Sequence, residues 1–580
     1  MLHTIRSCIL NVLNLFTKGA KDIAEDMILL DQPKDKNLGD LYTNAAMMFA
    51  KRLEISPRVL AEAIRDALAS SENVTEVSLA GPGFINFKLK NSFWQGVISD
   101  VIEQNENYGF SNVYANKLIN VEFVSANPTG PLHTGHARNA VFGSVVANLL
   151  ERIGYKVTRE FYINDQGNQI KFLARSLYLR YREALGAEIS ESDFTSDMYC
   201  GAYVKELAKE LVDIYQDKFL NQPESEWLAL LSQFAIDRMM QNVKNDLRNL
   251  GVVMDVYTSE AELCKRNLVE EALNILSECG DIYEGVLPRP KGIASDDEWE
   301  ERPQTLFRST KYGDDVDRAI RKSDGTWTYF AADLAYHLDK IKRGFTEMVA
   351  ILGADHNGYV KRLKSAVKAL SAGKANLEVR LYQLVNFLEN GKPVRMSKRA
   401  GNFITLKDVV ERVGKDVTRY MMISRHHDVM IDFDFVKAVE QSMDNPLFYI
   451  QYAYARICSV FRNYEAENGE IIQDDLLNSD KSILTDEAEI SLMKALAFWP
   501  DQVKAAAIAI EPHRIPVYMQ NIASLFHSLW NKGKINSELR FIDKENRHET
   551  ISRLSLLMAT KKVLEDGFRI IGVTPMMEMR

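Results

Sequence analysis

The chain has 580 residues, 46% hydrophobic and 26% charged, a balance that fits a globular protein and argues against dominant disorder. At ~100–200 residues per domain, three or four domains are expected rather than one core. The formal net charge of −9 argues against a protein that coats nucleic acid nonspecifically, and it leaves room for RNA recognition through local patches and unstacked bases.

Along the chain, Leu2, Ile5, Ile9, Val12, Leu13 and Phe16 recur at helical spacing, so the apolar start reads as an amphipathic helix rather than a signal peptide. Helical patterns follow near Leu41–Leu53 and Pro57–Ala69. A strand follows within 81–89, with apolar residues at period two. From about residue 115 the texture changes. Residues 118–124 read as a buried strand. A turn-rich stretch, 125–135, leads to a helix near Ala137 whose Val141, Val145, Leu149 and Ile153 step by four, and Gly154 sits at its end. Tyr155–Tyr162 then completes a βαβ unit.

Residues 165–250 read as helical, 281–345 as mixed, and 348–353 as a further buried strand followed by a turn and a helix from Tyr359. Helical periodicity dominates from about 440, as in 447–461 and 522–530. The expected organisation is three domains: 1–112, small and α+β; 113–440, a Rossmann-like parallel sheet with helical insertions; and 441–580, all-helical. Cys8, Cys200, Cys264, Cys279 and Cys458 are odd in number and none lie at C-x-x-C spacing. Neither a disulfide framework nor a protein-held metal site is expected, and a reducing, cytoplasmic setting fits. No run of ~18 apolar residues suggests a membrane span.

Two segments carry chemistry. In the first, residues 125–136 (SANPTGPLHTGH) leave a strand and enter a helix. A helix N-terminus offers free N–H groups and a positive dipole end to phosphate. His133 and His136 can donate to phosphate oxygens as charge develops, and Gly135 lets a flat base approach the backbone. A bare H-x-G-H could be a surface turn; the strand before and the helix after favour a nucleotide site. The second segment, residues 394–402 (VRMSKRAGN), lies about 260 residues downstream. Its cations Arg395, Lys398 and Arg399 suit pyrophosphate, although a basic loop alone is commonly just solvated surface.

Together these segments resemble the two signatures of class I aminoacyl-tRNA synthetases, H-I-G-H and K-M-S-K-S. Thr134 takes the variable position of the first. The central Met396-Ser397-Lys398 of the second is intact, while Arg395 and Arg399 depart from it. The resemblance implies that ATP is held by His133, Thr134, Gly135, His136, Met396, Ser397 and Lys398, with His133, His136 and Lys398 catalytic.

The amino acid is chosen elsewhere. Glu122 precedes the first signature, and Asp333 lies in a helical pattern four residues after Tyr329, on the same face. A lone Asp on a helix is ordinarily a surface charge, but paired carboxylates beside an aromatic wall suit a planar guanidinium. Residues 121–131 (VEFVSANPTGP), 162–167 (YINDQG) and Tyr329–Asp333 are similar to arginyl-tRNA synthetases. That resemblance implies that Ser125 and Asn127 hold the α-amino end, that Glu122, Tyr329 and Asp333 line the guanidinium pocket, and that Glu260 is a further acid. Gly353, Asp355 and His356 fall in its nucleotide-side segment. It also implies tRNA(Arg), L-arginine and ATP with Mg²⁺ as reactants, the Mg²⁺ held by phosphate rather than by a protein cage. A monomer is expected, with no DNA or membrane partner.

The N-terminal and C-terminal segments resemble the family's outer-corner and anticodon-binding domains. Residues 441–580 nevertheless carry 16 Lys and Arg against 19 Asp and Glu, a net of −3. RNA contact there would rest on a local patch and on aromatics such as Tyr452, Tyr454 and Phe461, which at helical spacing are more often core. Three alternatives stay open. They are a small-molecule nucleotidylyltransferase, a non-catalytic tRNA-binding paralogue, and a synthetase for another amino acid.

Overall fold

The computed structural model describes residues 1–17, 23–287, 302–394 and 404–579. Helix α1 (Leu2–Phe16) buries Leu2, Ile5, Ile9, Val12 and Leu13 as one apolar stripe. Strand β1 (Leu41–Thr43) comes next, then α2 (Ala45–Leu53) and α3 (Pro57–Ala69). The helix expected from Leu41 is therefore shorter. Leu41, Tyr42 and Thr43 pair antiparallel with Phe87, Asn86 and Ile85, a role that suits aromatic and β-branched residues. Thr43 Oγ1 then accepts the Ala45 N–H at 3.2 Å and starts α2. Strands β2 (Val74–Ala80) and β3 (Phe84–Leu89) complete a sheet of order β1-β3-β2. Helix α4 (Asn91–Gln104) carries the chain onward with Trp94, Val97, Ile98, Val101 and Ile102 buried.

The central unit opens with β4 (Leu118–Glu122), α5 (Thr134–Arg152) and β5 (Lys156–Ile163). Three helices are inserted next: α6 (Asn168–Ala184), α7 (Ala202–Tyr215) and α8 (Glu224–Asn249). They enclose a core of their own around Leu173, Tyr181, Val204, Leu211 and Trp227. The chain returns through β6 (Val256–Ser259), α9 (Glu260–Lys265) and α10 (Leu268–Glu278). An antiparallel trio follows: β7 (Ile282–Gly285), β8 (Gln304–Phe307) and β9 (Arg318–Arg321). Then come α11 (Tyr329–Lys342), β10 (Glu347–Gly353), α12 (Val360–Leu370) and β11 (Asn376–Tyr382).

Strands β4, β5, β6, β10 and β11 form one parallel sheet of order β11-β10-β4-β5-β6. The chain winds from β4 toward β6 on one side and adds β10 and β11 on the other. The order reverses between β4 and β10, and in such sheets the crevice outside the strand ends at that point is where ligands bind. The unit closes with β12 (Val385–Glu389), β13 (Lys392–Pro393), α13 (Leu406–Val413), α14 (Lys415–Met422), β14 (Ile431–Asp434) and α15 (Phe435–Ala438).

The C-terminal unit is helical: α16 (Pro446–Asn468), α17 (Gln473–Asn478), α18 (Glu487–Ala509), α19 (Arg514–Ile535) and α20 (Arg547–Ile571). Tyr454 and Phe461 belong to its core, at 2% and 7% exposure, so neither can stack on a base. Tyr454 instead donates to Glu565 at 2.6 Å.

Buried polar groups bind the three units together. Arg419 of α14 is fully buried and donates to the carbonyls of Ile571, Leu250 and Gly251 and to Ser144 Oγ of α5. A Cβ at Gly572, where φ is +69°, would stand 2.4 Å from that guanidinium. On the N-terminal side, Tyr108 donates to the Leu496 carbonyl, and Arg6 pairs with Asp501 at 2.6 Å.

Candidate active site

The site lies at the C-terminal ends of β4, β5, β6 and β10. Beyond β4 the backbone turns sharply: Val124 has φ +70° and Ser125 φ +39°. A left-handed conformation is exceptional for a β-branched residue, and two in succession cost roughly 1–3 kcal/mol each. The turn is held from outside. Val124 N–H donates to Asn139 Oδ1 at 2.9 Å, and Asn139 Nδ2 donates to the Ile351 carbonyl on β10 at 3.0 Å. The elbow aims Ser125 back over the strand end. Its Oγ donates to Glu122 Oε1 at 3.1 Å and accepts the Tyr162 N–H at 3.1 Å. Asn127, just beyond, is exposed.

Helix α5 starts earlier than the apolar spacing implied, at Thr134, because His133 is its N-cap. His133 Nδ1 accepts the Gly135 N–H at 3.0 Å, and His136 Nδ1 accepts the His133 N–H at 3.2 Å. This is a capping box made of histidines in place of the usual hydroxyl and carboxylate. Both Nδ1 atoms accept, so each neutral ring carries its proton on Nε2, where it is a donor suited to a phosphate oxygen. The rings pack 3.9 Å apart, and a Cβ at Gly135 would lie 2.9 Å from the His133 ring. The glycine is therefore needed for the histidine's own conformation.

Residues 395–403, with Met396, Ser397 and Lys398, lie outside the described residues, and so do Arg395 and Arg399. The chain that follows them is described. Thr134 N–H donates to the Ile404 carbonyl at 3.2 Å, and Leu406 N–H donates to the Leu132 carbonyl at 2.8 Å. His133 and Thr405 form an isolated antiparallel bridge. The exit of the second signature is thereby fastened to the N-terminus of the helix that carries the first.

The acidic side of the cleft is built on β4, α9 and α11. Asp333 sits in the first turns of α11. Part of the residue stays open to solvent, but its carboxyl is enclosed. Burial, reinforced by the charges of Glu122 and Glu260 and opposed by Arg362, pushes that carboxyl up to about 7. Glu260, at the start of α9, is likewise raised by burial and accepts the Tyr162 hydroxyl at 2.9 Å. Glu122 has a different neighbour: its Oε2 accepts from Lys340 at 2.7 Å, and that lysine side chain is fully buried. Tyr329 opens α11 one turn before Asp333 and is 83% exposed, at the rim of the cleft rather than in its floor.

On the other side of the switch point, Gly353 ends β10, and a Cβ there would meet Asp355 Oδ1 at 2.4 Å. Asp355 and His356 lie on the following 3₁₀ turn, side chains exposed and 3.6 Å apart. Tyr382, at the end of β11, donates to the Gly135 carbonyl at 3.3 Å and ties this rim to α5.

Sequence reasoning missed Lys340, Asn139 and Arg138. Lys340 had a signal: it lies seven residues after Asp333, on the same face of an apolar helix. Asn139 and Arg138 had none, because their partners are carbonyls distant in sequence. Arg138 is fully buried and donates to the carbonyls of Gln383, Val429 and His426 at 2.7, 2.8 and 2.9 Å. Burial lowers its guanidinium to about 10, so it stays charged at neutral pH.

Three family models match in succession. They are the arginyl tRNA synthetase N terminal domain at residues 3–89, the tRNA synthetases class I (R) catalytic domain at 97–451, and the DALR anticodon binding domain at 450–579. An arginine–tRNA ligase of Parvibaculum lavamentivorans is 49% identical over 95% of this chain and 94% of its own length. One from Wolbachia pipientis wMel is 47% identical over 99% of both chains. The solved Thermus thermophilus arginyl-tRNA synthetase shares the fold at a TM-score of 0.71, with 18% identity and complete coverage of both chains. With a cleft of this construction and matches along its whole length, the chain belongs to the arginyl-tRNA synthetase family of class I aminoacyl-tRNA synthetases.

Proposed function

We propose that the chain activates L-arginine with ATP and transfers it to the 3′ end of tRNA(Arg). The observation that carries this reading is the enclosed Asp333 carboxyl flanked by Glu122 and Glu260, beside a helix N-terminus capped by two histidines. A free carboxyl pushed up to about 7 is waiting for a cation. A guanidinium supplies one that is never neutral and meets a carboxylate through two parallel hydrogen bonds. Glu122, Asp333 and Tyr329 take the guanidinium, Glu260 adds a further acid, and Ser125 and Asn127 take the α-amino end.

In the first step the arginine carboxylate attacks the α-phosphate of ATP, and pyrophosphate leaves. The protein positions the reactants and stabilises charge. His133 and His136 donate from Nε2, Thr134 and Gly135 present the first turn of α5, and Gly353, Asp355 and His356 border the nucleotide. By the family resemblance Met396, Ser397 and Lys398 bind the phosphates of ATP, with Lys398 meeting the leaving pyrophosphate. In the second step a terminal ribose hydroxyl of the tRNA attacks the adenylate, and AMP leaves. Mg²⁺ enters with ATP. Imidazoles are poor ligands for so hard an ion, which suits its being carried by phosphate oxygens and water.

No helix among the described residues is long and apolar enough to cross a membrane. The chain acts in the cytoplasm as a monomer, since its three units already bury their faces on one another. A gel-filtration mass of twice 66.0 kDa would refute the monomer.

Pyrophosphate release with each of the twenty amino acids, with and without total tRNA, tests the whole reading. Family resemblance adds that activation needs tRNA already bound, so release confined to arginine and dependent on tRNA is the expected result. Release with arginine alone removes the tRNA requirement. Release with lysine or a neutral amino acid overturns the pocket. Intact tRNA binding with no release under any condition would favour a non-catalytic paralogue.

A further inference from the structure

Where the central unit meets the C-terminal unit, away from the cleft, three side chains converge. His426 lies in the loop between α14 and β14. Glu511 and His513 flank Pro512 in the turn between α18 and α19. One ligand atom from each lies within 4.8 Å of the others. We propose that His426, Glu511 and His513 form a binding site for a divalent transition-metal ion of the zinc class, which staples the two units together.

The spacing fits. Ligands about 2.0–2.2 Å from a four-coordinate ion stand roughly 3.3–3.5 Å from one another. His426 Nε2 and Glu511 Oε1 are already 3.5 Å apart, and the His426 and His513 rings lie 4.9 Å apart at 84°. Two imidazoles and one carboxylate are a donor set that zinc accepts, with a position left for water.

Two of the three ligands also have the outer contacts expected of them. Metal-bound histidines ordinarily give their other ring nitrogen to a carboxylate, and bound carboxylates are held in turn. His426 Nδ1 is paired with Asp428. Glu511 Oε2 accepts from Arg514 at 2.5 Å, which leaves Oε1 toward His426. His513 Nδ1 is buried with no hydrogen-bond partner among the described residues. A plain ion pair between His426 and Glu511 explains the first two contacts and leaves that nitrogen orphaned, at a desolvation cost.

The consequence reaches the active site. The carbonyls of His426 and Val429 accept from Arg138, five residues after His133 on α5. An ion at this junction anchors to the C-terminal unit the loop against which the signature helix is held.

The test uses the full-length chain, stripped of metal, its thiols alkylated because Cys200 and Cys279 are exposed and could bind zinc on their own. After equilibration with Zn²⁺ and desalting, one equivalent per chain is expected by elemental analysis. His426→Ala and His513→Ala should each weaken binding at least tenfold. Asp428→Asn should weaken it about tenfold or more through the outer contact. Zn²⁺ should raise Tm in the parent and not in the alanine variants. Retention unchanged in both variants, or none after alkylation, overturns the site. Should the variants fold poorly, Co²⁺ decides on the unsubstituted chain: strong visible bands of a four- or five-coordinate ion support the proposal, and the weak spectrum of six-coordinate Co²⁺ refutes it.

Discussion

The two sides of the switch point stand on one sheet edge and are built by opposite means. On the side proposed for the nucleotide, the α5 terminus is satisfied within itself: His133 and His136 cap the helix, Gly135 makes room for a ring, and Tyr382 braces the turn. On the side proposed for arginine, acids are held short of their usual ionisation, with the Asp333 and Glu260 carboxyls both raised by burial. The difference suits the ligands. A phosphate chain would bring negative charge to the imidazoles oriented by that cap, whereas arginine would bring the cation that an acidic pocket lacks. One side is preorganised by hydrogen bonds and the other is poised by electrostatic strain that substrate relieves.

Asp333→Asn would break the contrast most severely. It removes the charge on the strained side without changing shape. The expected loss in kcat/KM for arginine is about 10³-fold, roughly 4 kcal/mol, the scale of a desolvated charge pair losing one partner. KM for ATP should stay within about twofold. An equal loss in both would mean that the two sides are not separate. The complementary variant, His136→Ala, should lower kcat about 10²-fold through lost transition-state donation and leave the arginine KM nearly unchanged. Steady-state pyrophosphate exchange separates the two.

Glu122→Gln sharpens the picture within the acidic side. Because Lys340 already occupies Oε2, Glu122 has less charge to spend on substrate than Asp333. A loss of about 30-fold in kcat/KM for arginine is expected, together with about 2–3 kcal/mol of stability as Lys340 is left buried and unpaired. Denaturant titration reads the second effect. A Glu122→Gln loss larger than that of Asp333→Asn would reverse the assignment of the principal acid.

The pH dependence follows from the raised carboxyl. Below about 7 the free enzyme holds Asp333 protonated, and the bidentate pair with a guanidinium needs it ionised. Apparent arginine affinity should therefore rise about tenfold per pH unit up to about 7 and level off above it. Stability runs the other way. A carboxyl raised on folding binds more protons in the native state, so its contribution is present at acid pH and is lost as pH climbs from the ordinary carboxylate range to about 7. The Tm gain on adding arginine should be larger at pH 8 than at pH 6. A flat thermal-shift profile would show that Asp333 does not titrate in this window.

Legibility in the sequence followed the range of the interactions. Strand-turn-helix order, the apolar stripe of α1 and the Tyr329–Asp333 helix rest on local spacing, and they could be read. The start of α5 is hidden from apolar spacing because its N-cap is histidine, a residue seldom used there. Leu41–Thr43 carries a helical pattern and becomes a strand through a partner more than forty residues away. Lys340 and Glu122 are 218 residues apart, and Asn139 clamps Val124 to Ile351. Such contacts exist only once the sheet has formed, and no periodicity announces them.

The smallest effect concerns RNA contact far from the sheet. With Tyr454 and Phe461 in the core, the better stacking surface is a cavity of about 420 Å³ lined by the half-buried Trp530 and the exposed Lys534 and Arg540, among others. There an aromatic face and exposed cations meet, which a single-stranded base and its phosphate require. Arg540→Ala removes one exposed cation, an interaction worth about 0.2–1 kcal/mol. KM for tRNA should rise about threefold, more at low salt than at high, while arginine and ATP constants hold. Tyr454→Phe, by contrast, should lower Tm through its lost bond to Glu565 and leave the tRNA KM unchanged. If Tyr454→Phe moved the tRNA constant and Arg540→Ala did not, the contact surface would have to be sought on α16 instead.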